Sequence, residues 1–133
     1  MSKTDVEPAT AATAKLSGHV LIVEDNIIIA IDAEEIAFEL GASSVSVVSN
    51  VNEALRAIEA TDFSFALLDV NLGAETSEPV ADKLKEKRTP FAFATGYGDA
   101  TEITKRFDGV AVIQKPYDKS AVAQAISLTL GQK

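Results

Sequence analysis

The chain has no cysteine and no tryptophan, and only one histidine and one methionine in 133 residues. Without cysteine there is no disulfide framework, no thiol nucleophile and no thiolate-held metal. A single histidine, His19, cannot build a histidine-based zinc site. Positive charge is also scarce: 12 Lys and Arg face 20 Asp and Glu, for a formal net charge of -8. Such a surface repels nucleic-acid phosphates and anionic lipid, so neither is an expected partner. No apolar run approaches the ~20 residues of a membrane-spanning helix, and the first residues lack the basic start and apolar stretch of a secretory leader. Together these absences lead to the expectation of a cytoplasmic protein. The acidic surplus fits a site of clustered carboxylates that holds a cation.

What is present suffices for one domain. Hydrophobic residues make up 47% of the chain and charged residues 24%, enough to fill a single sizeable core. Residues 1–16, rich in Ala and Thr, read as a disordered tail, and 17–133 as the folded domain. Within the domain two kinds of segment alternate. The apolar, β-branched runs are His19–Val23, Val45–Ser49, Phe65–Leu68, Phe91–Ala94 and Val110–Ile113. Between and after them lie stretches of helical spacing: Asn26–Leu40, ended by Gly41; Asn50 to about Ala60, opened by Asn50 and Glu53 in capping-box order; Pro79 to about Arg88; Ala100–Phe107; and Ser120–Leu130, capped by Asp118. Five short apolar strands, each followed by a helix, predict an α/β fold: a doubly wound, five-stranded parallel sheet with five helices covering both faces.

The polar residues fall at the carboxyl ends of these strands. The first strand ends in Glu24-Asp25, the third in Asp69 followed by Asn71, the fourth in Thr95, the fifth in Lys115-Pro116. This is the edge where doubly wound sheets bind ligands. Any one of them has an ordinary reading: an aspartate at a strand end caps a loop, Glu24-Asp25 caps the next helix, Thr95 is structural, Lys115 is a solvated surface charge. As an ordered set they suggest a site. Converging carboxylates repel one another and are costly to desolvate, which calls for a hard divalent cation such as Mg2+. Lys115 can bind an anion and Thr95 can donate a hydroxyl to it. A carboxylate nucleophile, a cation, a lysine and a hydroxyl make a phosphoryl-transfer site, with Asp69 as the attacking group.

Here the sequence resembles the receiver domain of bacterial response regulators over nearly its whole length, from about Gly18 to Leu130. The resemblance rests on Val23-Glu24-Asp25-Asn26, Leu67-Leu68-Asp69-Val70-Asn71-Leu72, Ala94-Thr95-Gly96 and Gln114-Lys115-Pro116-Tyr117. It implies the flavodoxin- and receiver-like strand order 2-1-3-4-5. It implies Asp69 as phosphoacceptor, and Mg2+ bound by Asp25, Asp69 and the backbone carbonyl of Asn71, with Glu24 acting through water. Thr95 would be the switch hydroxyl, Lys115 the partner of the phosphoryl oxygens, and the Lys115–Pro116 bond cis. The implied partners are a histidine kinase or a histidine phosphotransferase, with the signal passed to a downstream protein or along a phosphorelay, by a monomer.

One position departs from the family pattern. Val112 stands three residues before the lysine, where receivers usually carry a Tyr or Phe. The run Pro90-Phe91-Ala92-Phe93-Ala94-Thr95-Gly96-Tyr97-Gly98 is similar to the signature of an alphaproteobacterial receiver subgroup called FATGUY, which lacks that aromatic and has members in general stress response signalling. The expectation is that Thr95, Gly96 and Tyr97 carry the switch, the glycines allowing the backbone to rearrange. Two other readings compete. A phosphohydrolase with an aspartyl-phosphate would place its nucleophile on the first strand and a second aspartate two residues on, where this chain has Asn71. A binding module that never accepts phosphate would be expected to have lost Asp69 or Lys115. Outside the site, His19, Phe91 and Phe93 read as structural, Lys83, Lys85, Lys87 and Arg88 as a solvated helix face, and Tyr117 as a packing residue beside the last helix.

Overall fold

The structure, a computed structural model, describes residues 16–96, 101–107 and 109–130. Tyr97 and Gly98 of the expected switch segment, and Ala100 at the start of the expected fourth helix, lie outside these residues. Among the described residues the elements run β1 (His19–Val23), α1 (Ile27–Glu39), β2 (Ser44–Val48), α2 (Val51–Ala60), β3 (Phe65–Asp69), β4 (Asn71–Leu72), β5 (Glu75–Thr76), α3 (Glu78–Glu86), β6 (Phe91–Thr95), α4 (Thr101–Arg106), β7 (Val112–Gln114) and α5 (Lys119–Leu130). Five strands form one parallel sheet in the order β2-β1-β3-β6-β7. This is the expected order 2-1-3-4-5, once the two short strands β4 and β5 are set aside as a separate antiparallel pair.

The alternation along each strand explains the two-layered core. Leu21, Val23, Ala66, Leu68, Phe91 and Phe93 point to one face and pack with Ala54 and Ile58 of α2, Val80, Ala81 and Leu84 of α3, and Ile103 and Phe107 at α4. Val20, Ile22, Phe65, Leu67 and Ala92 point to the other and meet Ala33 and Ala37 of α1 and Val122, Ala125 and Ile126 of α5. Strands covered on both sides have no use for a polar face, which is why they read as unbroken apolar runs.

The caps are legible residue by residue. Asn26 Oδ1 accepts from the backbone N–H of Ile28 and Ile29 and opens α1. Asn50 Oδ1 accepts from Glu53 N–H at 2.9 Å, while the Glu53 carboxylate reaches back to the backbone N–H of Ser49 at 3.0 Å. Asp118 Oδ1 accepts from Ala121 N–H at 2.8 Å at the start of α5. Gly41, at φ 120°, ends α1, and a Cβ there would overlap the carbonyl oxygen of Leu16.

Three expectations need correction, and one pair of strands is additional. Leu16, assigned to the tail, is buried in the core, and its N–H donates to Leu40 O at 2.9 Å, satisfying one carbonyl at the end of α1. The last strand begins at Val112 rather than Val110, because Val110 N–H closes a turn onto Phe107 O and Gly109 takes φ 93°. Helix α3 stops at Glu86, and Arg88 takes φ 61°, the left-handed geometry that ends a helix, with Thr89 N–H donating to Leu84 O. The stretch after Asp69 holds a β4–β5 hairpin that is not among the expected elements, whose two-residue turn starts with Gly73 at φ 68°.

The residues read as structural are so. His19 Nε2 lies 2.7 Å from Ser46 Oγ and its ring packs edge-on against Phe63. Phe91, Phe93 and Phe107 form a mutual edge-to-face cluster. In the basic run Lys85, Lys87 and Arg88 are exposed, Lys85 lying over the Phe107 ring, while Lys83 is half-buried and pairs with Glu59 and Glu86.

Ser77, just before α3, is fully buried, and its hydroxyl is the buried side-chain polar atom without a hydrogen-bond partner among the described residues. It makes no capping bond to the helix it precedes. An unpartnered buried hydroxyl carries its desolvation penalty with nothing in return. Ser77→Ala is therefore expected to raise stability by about 1 kcal/mol in urea unfolding. A loss of that size would mean that the hydroxyl has a partner after all.

Candidate functional site

The parallel register carries the site residues to one place. Val23 lies beside Leu68, Asp69 beside Ala94, and Thr95 beside Gln114. The ladder then runs one step past the strand ends: Glu24 N–H donates to Val48 O, Val70 N–H to Ala94 O, and Lys115 N–H to Thr95 O at 2.8 Å. Glu24, Asp69, Thr95 and Lys115 thus stand side by side at the carboxyl edge, fixed by sheet hydrogen bonds. The Lys115–Pro116 peptide bond is cis.

Two carboxylates are sunk into this edge. Glu24 is 1% exposed and Asp69 2%, depths at which an ionised group needs a partner. Lys115 supplies it: its Nζ lies 2.9 Å from Asp69 Oδ2 and 3.3 Å from Glu24 Oε1. Glu24 Oε2 also accepts from Asn26 N–H at 3.0 Å. Asp25, next to Glu24 but exposed, completes a triad: one oxygen from each of Glu24, Asp25 and Asp69 can be chosen so that all lie within 4.8 Å of one another. The β4–β5 hairpin borders the triad, since a Cβ on Gly73 would lie 3.8 Å from Asp25 Oδ2. Its Glu75 carboxylate holds the other side by accepting from Val51 N–H at the start of α2. Asn71 lies on β4, and Thr95 is buried at the end of β6.

The electrostatics follow from this packing. Burial, reinforced by the neighbouring Glu24 charge, pushes the Asp69 carboxyl up from 3.8 to about 7, although its bond to Lys115 pulls the other way. For Lys115, burial works against the charge, but Asp69 and then Glu24 outweigh it and hold the ammonium above the ordinary lysine value. Lys115 therefore stays charged. Three carboxylates against one ammonium leave a negative surplus, and every donor in the triad is a hard oxygen. That donor set suits a hard divalent cation and not a soft one.

Tyr117 is the residue whose place sequence reasoning missed. Its hydroxyl faces the site, 3.5 Å from Glu24 Oε1, while its ring packs against the core beneath α5. Burial, and then the charges of Glu24 and Asp69, push its phenol far above the ordinary value. The available signal was an aromatic with a polar tip two residues from a strand-end lysine. Val112, by contrast, is 49% exposed on β7, the edge strand of the sheet.

These geometries agree with what comparison finds. Residues 20–127 match the family model described as the response regulator receiver domain. The chain is 29% identical over 127 residues to the phyllosphere-induced regulator PhyR of Methylorubrum extorquens; the match covers 93% of this chain and 48% of PhyR, so the chain spans about half of that relative's length. It is similar to the solution structure of SdrG from Sphingomonas melonis Fr1, at 35% identity and a TM-score of 0.72 over 90% of this chain and 98% of SdrG. The receiver domain of Erythrobacter litoralis PhyR shares the fold, with a TM-score of 0.74 at 23% identity, covering 89% of this chain and 93% of that one. With a sheet, a strand order and a carboxylate-lysine edge of this kind, and a family match over most of its length, the chain belongs to the response regulator receiver domains of two-component signalling.

Proposed function

We propose that Asp69 is the phosphoacceptor of this receiver, taking a phosphoryl group from the phosphohistidine of a histidine kinase or histidine phosphotransferase. The observation that carries this reading is the Asp69 carboxylate itself: buried, at a strand end, and held 2.9 Å from a charged lysine. The donor set supports Mg2+ as cofactor, with Asp25, Asp69 and the backbone carbonyl of Asn71 as ligands and Glu24 acting through water. When bound, Mg2+ neutralises charge on the transferred oxygens.

The chain's own residues do the rest. An Asp69 oxygen attacks phosphorus in line with the departing imidazole nitrogen; the new P–O bond forms as the P–N bond breaks, and the electron pair leaves with the imidazole. Lys115, already paired with Asp69, follows the negative charge onto the phosphoryl oxygens. Thr95 donates its hydroxyl to another of them, and the loop from Gly96 through Tyr97 adjusts to that movement. Slow hydrolysis of the acyl phosphate by water resets the domain. The signal leaves through contact with another protein or by onward transfer to a phosphotransferase histidine. Because PhyR is described as a stress response regulator, a role in general stress signalling is the setting we infer, in the cytoplasm and as a monomer.

The test is intact mass after incubation with acetyl phosphate and Mg2+. One phosphoryl adduct on the native chain, absent from Asp69→Asn and lost when Mg2+ is chelated, is the expected result. No adduct here, and none from any phosphorylated kinase or phosphotransferase, would leave a receiver fold that works as a binding module without phosphate.

A further inference from the structure

Glu24 is the most deeply buried carboxylate of the site, and its contacts with the Lys115 and Tyr117 side chains are all long. Its Oε1 has two contacts, Lys115 Nζ at 3.3 Å and Tyr117 Oη at 3.5 Å, both longer than an ordinary charge-assisted bond. Its Oε2 has Asn26 N–H at 3.0 Å and Lys115 again at 3.5 Å. Lys115 makes its short bond elsewhere, to Asp69 at 2.9 Å. If Lys115 turns toward a phosphoryl group on Asp69, its long contact with Glu24 is the one to give way. A carboxylate at 1% exposure then keeps the Asn26 N–H on Oε2, and its Oε1 needs another donor. The Tyr117 hydroxyl is the one already facing it. A carboxylate oxygen can only accept, so the phenol O–H that faces it is the donor of the pair.

The ring of Tyr117 links that hydroxyl to the rest of the fold. It packs on the cluster that holds Val122, Ala125 and Ile126 of α5, and Asp118, the next residue, caps α5. A small closure of the hydroxyl onto Glu24 therefore pulls directly on the start of that helix. We infer that Tyr117 is a positioning residue that takes over Glu24 when Lys115 is drawn to a group on Asp69, and so carries the state of Asp69 to α5. The inference rests on the phosphoacceptor reading of Asp69 and supplies a route of readout in a chain whose β7 carries Val112 in place of an aromatic.

The test uses the full chain, isotopically labelled for NMR, with beryllium fluoride and Mg2+ as the phosphoryl stand-in, in native and Tyr117→Phe forms. Tyr117→Phe keeps the ring and removes only the hydroxyl. Both forms are expected to load, with amide shifts at Asp69 and Val70, but the variant about fivefold more weakly, the worth of one modest hydrogen bond. At saturation the shifts along α5 should collapse in the variant and persist in the native chain. In the native chain the Tyr117 hydroxyl proton should exchange more slowly once the site is loaded. Undiminished α5 shifts in Tyr117→Phe, or a hydroxyl whose exchange ignores loading, would overturn the inference. A native chain that shows no shift at Asp69 would remove the phosphoacceptor reading itself, and this inference with it.

Discussion

Phe93→Ala is expected to destabilise the domain by about 3–5 kcal/mol, a large part of the 5–15 kcal/mol that holds a typical domain together. Phe93 has no exposed surface and sits on β6 between Leu68 of β3 and Val112 of β7. Its ring meets Phe91 edge-on at 5.5 Å and Phe107 at 5.7 Å, contacts that add to simple burial. The surroundings cannot collapse into the space. The strand is held on both sides by parallel ladders, and its other face carries Ala92 and Ala94, both fully buried. The same strand ends in Thr95, so the damage reaches the site as well as the core. Equilibrium urea unfolding checks this. Phe93→Leu should recover most of the loss, and a loss below about 1.5 kcal/mol for Phe93→Ala would mean that the cluster repacks.

The sequence made the sheet legible because its strands are buried on both faces. A run such as Phe65-Ala66-Leu67-Leu68 has no polar position, and the first residue that breaks it, Asp69, marks the functional edge. Register then did what no single residue could: the ladder bonds at Glu24, Val70 and Lys115 bring together side chains that lie up to 91 residues apart. The features that were not legible are those set by tertiary contact over short stretches. The β4–β5 hairpin has two residues in each strand, too few for any periodicity. Val110 has the composition of a strand residue, but a turn closing on Phe107 claims its N–H. Leu16 looks like the end of a polar tail until the last carbonyls of α1 are seen to need a donor. Tyr117 was readable as a packing residue, and it is one; that its hydroxyl reaches back 93 residues to Glu24 depends on the path of the loop before α5.

Asp69→Asn is expected to make the metal-free protein more stable above neutral pH, by about 2–4 kcal/mol at pH 8.5. The reason is the burial of Asp69, next to a like charge. Burial and Glu24 raise its folded pKa from 3.8 to about 7, so the folded state binds the proton more tightly than the unfolded chain. The stability tied to that proton is complete below about pH 4 and is lost as the pH climbs through about 7. The rise from 3.8 to about 7, at ~1.4 kcal/mol per pH unit, sets the upper end of the effect. Asparagine has nearly the shape of the protonated acid and no proton to lose, so near pH 4 the two proteins should differ little and above it they should diverge. Urea unfolding in the presence of a chelator, at half-unit steps from pH 4.5 to 8.5, measures the divergence. Saturating Mg2+ should close much of it, because a cation bound by the triad stabilises the ionised native carboxylates by mass action and has less to bind in the variant. The same residue thus links stability to function: a carboxylate that weakens the metal-free fold above neutral pH is one that a cation, or a phosphoryl group with its counter-charges, can relieve. Parallel pH profiles for the two proteins would show that Asp69 is ionised as easily in the fold as in the open chain, and that the site stores none of that strain.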